Sequence, residues 1–301
     1  MMYWVLAGVL SFAVFAGVTA GLSAVAGALV PVVLARTGGL APAVRARALF
    51  WLRLSPALGG SVAAFVIVLP VFLALEPRDT REMPGVILLA LAAAGAASAG
   101  GVLRRALAAC LATRRLQRAL CDDGEPFADA AARMPAVAVD APFPVVAVIG
   151  CWRPRLIVAR RVLAECPERE LRAMIAHERA HVSAHDNLRR LLMTICPRLV
   201  SRRAQQRLEI AWTDATEAAA DERASHTGEG RALDLADALV RLARIGLRDT
   251  ALPASAFYTG GSVEPRVRRL LAPPAEGGAL PRPIHRLLLA SVLGSTAVAA
   301  S

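Results

Sequence analysis

The chain has 301 residues, 56% of them hydrophobic, and a mean hydropathy of +0.49, a balance that excludes an ordinary soluble protein and calls for membrane segments. The formal net charge is +11, but every one of the 35 basic residues is arginine and no basic run is interleaved with aromatics, so a direct nucleic-acid partner is not expected. The five cysteines contain no C-x-x-C pair, which argues against both a disulfide framework and a cysteine zinc site and leaves reduced thiols in a cytosolic domain as the simplest reading.

Met1 to Ala35 carries no charged residue, more than the roughly 20 residues a spanning helix needs. A secretory signal peptide would have a basic start and a shorter apolar core. Two further uncharged stretches follow, and the spans are expected at about 4–35, 55–75 and 83–103, with the lipid bilayer as a partner. The third span is rich in Ala and Gly, as suits close packing on a neighbouring helix. The first loop, with Arg36, Arg45, Arg47 and Arg53, has no acid. The second, Glu76 to Glu82, mixes both signs. Arg104, Arg105, Arg114, Arg115 and Arg118 follow the third span. By the arginine bias the N-terminus lies outside, and the polar region after the third span is cytoplasmic in a multi-pass protein of the cell membrane.

Residues 104–283 form that polar domain. Val137 to Val139, Val145 to Ile149 and Leu156 to Ala159 are short β-branched runs broken by Pro and Gly, and read as a small sheet whose edge can hold an extended peptide. Helices are expected over about Pro167 to Asp186, from Leu188 to Pro197, over Arg203 to Ser225 and over Ala232 to Ile245. A loop runs from Leu252 to Glu264 and a Pro/Gly linker from Ala272 to Pro283. Leu287 to Ser301 is uncharged but only about 22 Å long as a helix, against a hydrocarbon core of ~30 Å. It reads as a fourth span over 284–301 or a cut-off copy of one, with no long extracellular domain after it.

The chemistry centres on His177-Glu178-Arg179-Ala180-His181. Residues four apart share a helix face, so both imidazoles can address one ion, with Glu178 bordering the same face. Zinc suits neutral imidazoles and keeps a position open for water, whose proton a neighbouring carboxylate can take. Two histidines leave zinc short of a protein ligand. His185, eight residues or about 12 Å along the axis from His177, is too far to share an ion. Asn187 and Ala184 stand where a third His and a Gly would complete a metzincin pattern. The later run Asp214 to Glu222 offers Glu217 as third ligand, with Asp221 on the same face to orient a metal-bound imidazole; the bland alternative is an exposed acidic face. Asp186 could receive an imidazole N–H or cap a helix. His226, Tyr258 and Arg266 are candidates for an oxyanion donor, among which the sequence does not choose.

The pattern H177-E178-R179-A180-H181-x4-D186, followed by E217-x3-D221, resembles the BlaR/MecR-type membrane zinc peptidases, gluzincins that are also similar to HtpX-like proteases. Gly150-Cys-Trp-Arg-Pro154-Arg-Leu-Ile157-Val158 is similar to that family's strand before the metal helix, and Pro265 to Leu271 to its R-[IV]-x-x-L element. The resemblance implies an α-helical membrane bundle over residues 1–103 and an α+β zincin-like (gluzincin) peptidase domain. It also implies one zinc per chain on His177, His181 and Glu217, with Glu178 as catalytic base. The expected activity is zinc-dependent endopeptidase cleavage of a protein substrate, such as a transcriptional repressor in signal transduction. Membrane-protein quality control and a non-catalytic zinc-binding receptor or scaffold are the alternatives.

Overall fold

A computed structural model describes residues 2–79, 83–121, 124–127, 132–141, 143–226, 231–248 and 263–272. Residues 2–271 form one compact unit. The expected loop and linker after residue 248, apart from Val263, Glu264 and Ala272, lie outside the described residues, as do Tyr258 and the segment 284–301.

Three rods open the chain. Helix α1 is Met2–Thr37. The second rod runs from Pro42 to Leu75 as α2 (Pro42–Ser61), a π-helical stretch (Val62–Val68) and α3 (Leu69–Leu75). Helix α4 is Val86–Cys121. All three are long and apolar enough to cross a membrane. They approach closely where side chains are absent. A Cβ on Gly60 would lie 2.0 Å from Thr19 Oγ1, and one on Gly95 would lie 2.1 Å from the Phe12 carbonyl.

The helices differ from the spans expected from hydropathy. The second begins thirteen residues earlier, at Pro42, and α4 continues eighteen residues past Leu103. Arg45, Arg47 and Arg53 therefore sit on α2, not in a loop, and Arg104 to Arg118 sit on α4. The reason is that hydropathy marks where a helix is wet, not where it stops. Neither arginine nor a proline near a helix start breaks helical hydrogen bonding. At 1.5 Å per residue, roughly 20 residues suffice to cross a hydrocarbon core of ~30 Å, so each rod is longer than a span needs. The remaining lengths pack against the second half of the molecule.

That half is built on a four-stranded sheet of β1 (Glu125–Phe127), β2 (Ala136–Val139), β3 (Val146–Ile149) and β4 (Arg155–Ala159), in the order β1-β2-β4-β3. Strands β2 and β4 are parallel; β1 and β3 flank them antiparallel. The three β-branched runs of the sequence are β2, β3 and β4. Strand β1 escaped the sequence reading because Glu125-Pro126-Phe127 has no alternation to read. The sheet is followed by α5 (Arg160–Glu165), α6 (Glu168–Ser183), α7 (Asp186–Ile195), α8 (Arg202–Ser225), α9 (Arg231–Arg248) and α10 (Val263–Leu271). Pro167 is the N-cap of α6, so the helix begins at Glu168, one residue later than expected.

One face of the sheet, through Leu156 and Val158, buries against Leu171, Met174 and Ile175 of α6 and Ala238 and Ile245 of α9. The other, through Val137, Val139 and Ile157, is covered by Leu120 at the end of α4. Glu170, fully buried in the first turn of α6, accepts two bonds from Arg241 of α9, at 2.6 and 2.8 Å, so its buried charge is paired.

The two halves share a core. Ala26 and Val30 of α1 and Leu49, Phe50 and Leu54 of α2 pack with Met193, Leu208 and Trp212 of α7 and α8. The C-terminus of α7 has carbonyls with no intrahelical donor. Arg53, 1% exposed, donates to the Met193, Cys196 and Pro197 carbonyls, and Arg105 donates to those of Ile195 and Cys196. Two cations from two different rods thus cap one helix end, where its dipole favours them. The Val200 N–H completes the junction by donating to Ser23 Oγ at 2.9 Å. Arg53→Met keeps the bulk but strands these buried carbonyls. The expected cost is about 3 kcal/mol, read as a lowered midpoint of thermal unfolding in detergent.

Candidate metal centre

The sequence of α6 places His177 and His181 one turn apart on the face turned toward α8. Alanines make the approach short: Ala220 and Ala224 of α8 are buried, as are Ala173 and Ala180 of α6. Across this contact Glu217 reaches both rings. Its Oε2 lies 3.5 Å from His177 Nε2, its Oε1 lies 3.6 Å from His181 Nε2, and the two Nε2 atoms are 3.1 Å apart. One ligand atom from each of the three side chains lies within 4.8 Å of the others.

The outer nitrogens fix the rings. His177 Nδ1 lies 3.0 Å from Asp221 Oδ1, and His181 Nδ1 lies 2.9 Å from Asp186 Oδ2. Each carboxylate accepts the Nδ1 proton, which leaves the Nε2 lone pairs pointing inward. At 3.1 Å the two Nε2 atoms can share a proton or address one ion. Tetrahedral zinc with ligands at ~2.0–2.1 Å holds its ligand atoms roughly 3.3–3.4 Å from one another, close to the spacings seen here. The donor set therefore fits zinc, and it matches the arrangement in which carboxylates orient metal-bound imidazoles.

Asp186 reaches His181 because the helix stops in time. His185 adopts a left-handed conformation, φ +56°, between α6 and α7, and this turns Asp186 back toward the residue five positions earlier. His185 itself is exposed and makes no part of the cluster.

Arg266, 8% exposed on α10, grips the far side of the acidic pair. Its guanidinium donates to Asp221 Oδ1 at 2.6 Å and Oδ2 at 3.0 Å, and Nη1 lies 3.1 Å from Glu217 Oε2. Its donors are thus engaged by these two carboxylates. His226 is exposed at the end of α8, with Glu222 4.0 Å away.

Glu178 faces the sheet. Its Oε2 accepts the Val148 N–H at 3.0 Å, and Asn187 Nδ2 donates to the Val148 and Gly150 carbonyls at 3.0 and 3.2 Å. Strand β3 is the sheet edge nearest the metal cluster. The bond from the Ala159 N–H to the Val145 carbonyl, with the β3–β4 register, turns the Val146 and Val148 backbone groups to the open side. Asn187 had been noted in the sequence only as the residue replacing a third histidine. Its role in holding the edge strand had no signal there, because it depends on a contact 39 residues away in sequence.

Residues 135–206 match the model of peptidase family M48. The segment runs from β2 into the first turns of α8 and includes His177, Glu178 and His181; Glu217 and Asp221 lie beyond it. The M48 match supports a metallopeptidase and does not single out the BlaR/MecR type. No curated protein and no solved structure matches the chain.

The electrostatics follow from the geometry. Burial alone would push the His177 imidazole down, but hydrogen bonds to Asp221 and Glu217 outweigh it and raise the ring to about 9. Burial would raise Asp221, yet His177 and Arg266 bring it down to about 2, and Glu217 is lowered by the same neighbours. In the metal-free protein, the His177 contribution to stability is complete below about pH 6.5 and lost as pH rises through 9; that of Asp221 is present above about pH 3.8 and lost as pH falls through 2. Zinc must displace the His177 proton, so binding at pH 7 is expected to release about one proton per chain. Calorimetry in buffers of different ionisation heat measures it. Asp221→Asn and Asp186→Asn should each weaken zinc roughly 10–100-fold, and Glu217→Ala should leave purified protein without stoichiometric zinc by elemental analysis.

Proposed function

We propose that this chain is a membrane-anchored zinc endopeptidase. The observation that carries the reading is the convergence of His177 Nε2, His181 Nε2 and a Glu217 carboxylate, with both outer imidazole nitrogens on carboxylates. His177, His181 and Glu217 would hold the ion, with Asp221, Asp186 and Arg266 positioning them. Bound zinc supplies Lewis acidity to the scissile carbonyl and to a water. Glu178 takes the proton from that water and returns it to the leaving amine. A carboxylate resting on the Val148 N–H is already directed at the gap between helix α6 and the sheet edge.

The substrate is a polypeptide in extended form. An edge strand beside the cluster offers backbone donors and acceptors to a chain added alongside it, and the side chains of such a chain alternate between the cleft and solvent. For that chain to pair at Val148, Glu178 and Asn187 must yield the Val148 N–H and carbonyl. Release of the base thus accompanies binding. Regulated cleavage of a repressor and quality-control cleavage of membrane proteins both run through this chemistry.

Two experiments test the reading. Glu178→Gln keeps size and shape and removes the base, so zinc content should stay at one per chain while peptide cleavage falls at least ~10²-fold. Undiminished cleavage by that variant would sink the endopeptidase assignment. The orientation rests on Arg36, Arg45, Arg47, Arg53, Arg104 and Arg105, which all lie at the sheet-bearing end of the rods. A cysteine placed at exposed Trp152, in a protein with Cys110 replaced by serine, should react with an impermeant maleimide in inverted vesicles and not in intact cells. The opposite pattern would reverse the topology.

A further inference from the structure

A cavity of about 420 Å³ opens beside the metal cluster, between α8, α10 and the turn that joins α1 to α2. Glu217 and Arg266 form its inner wall. Arg45, from the first turn of α2, and Arg269, one turn beyond Arg266 on α10, form its outer wall with Asp214. Three guanidinium groups thus face two carboxylates, and Glu217 is already compensated by Arg266 at 3.1 Å and by the two imidazoles. Arg266 is shared between Glu217 and Asp221, so the groups left to face an occupant are Arg45 and Arg269 against Asp214.

Arg45 is the informative residue. Its Nε is buried and has no hydrogen-bond partner, and among the described residues no carboxylate lies within ion-pair distance of its guanidinium. An arginine that lines a cavity with no acid paired to it offers a planar fork of donors that matches a carboxylate. Position adds a second constraint: any group in this cavity is next to a metal ligand, so it belongs to a residue close to the bond being cut. We propose that the cavity is a specificity subsite for an acidic side chain, Asp or Glu, within about three residues of the scissile bond, recognised by Arg45 and Arg269. The subsite rests on the endopeptidase reading for its role, but its preference for an anion rests on the cavity alone.

The test uses the full chain in detergent micelles, loaded with zinc, and pairs of peptides that differ by Glu or Gln at each of the three positions on either side of the cleavage site. Wild type should show a kcat/KM at least tenfold higher for Glu than for Gln at one of these positions, with the difference carried by KM. Arg45→Gln and, separately, Arg269→Gln should each lower that ratio severalfold. Arg269 is exposed, so its variant reports even where Arg45→Gln disturbs folding. Binding of the same fluorescent peptide pairs to the Glu178→Gln protein separates the subsite from the chemistry. Glu-selective binding without cleavage by wild type would keep the subsite and overturn the peptidase reading. Equal treatment of Glu and Gln in binding and cleavage at all positions overturns the subsite, as does a preference that survives in both arginine variants.

Discussion

The centre depends on which way two rings face. An imidazole on a helix can turn either nitrogen toward its neighbour, and only one choice per ring gives two lone pairs in the same small volume. Asp221 and Asp186 make that choice by accepting the Nδ1 protons of His177 and His181. The carboxylates are themselves restrained: Asp221 by the Arg266 fork, Asp186 by burial and by Arg189 at 3.4 Å. Helices α6, α7, α8 and α10 therefore each contribute one constraint to a group of atoms a few ångströms across.

The alanine contact between α6 and α8 is the packing counterpart of that electrostatic choice. Glutamate is a short reach for a side chain that must cross between two helices. With leucine at Ala220 or Ala224 the helix axes would stand further apart, and the Glu217 oxygens would leave the range in which they address both rings. Small residues cost little conformational entropy and bury little surface, so the stability of this contact comes from close dispersion contacts and from the neighbouring clusters.

Much of the centre was legible because its spacing is local. His177, Glu178 and His181 follow from helical periodicity, and Glu217 with Asp221 from the same rule applied to a second helix. Asp186 was ambiguous between cap and partner, and the left-handed turn at His185 decides for the partner. What the sequence could not disclose was long-range: Arg266 on the carboxylates, Asn187 on the edge strand, Arg53 and Arg105 on the end of α7. A single arginine among thirty-five carries no mark of the carbonyl it will meet. The helical extensions of α2 and α4 beyond the expected spans went unread for a related reason, since such polar ends look like loops until the domain that covers them is in place.

Helix α7 touches the membrane rods at one end and the metal cluster at the other. Its final carbonyls are held by Arg53 and Arg105, and its first residue is Asp186. At 1.5 Å per residue it is a strut of about 15 Å. Were α2 and α4 to shift against each other, the foot of that strut would move with them, and its other end would bear on the His181 ring through Asp186.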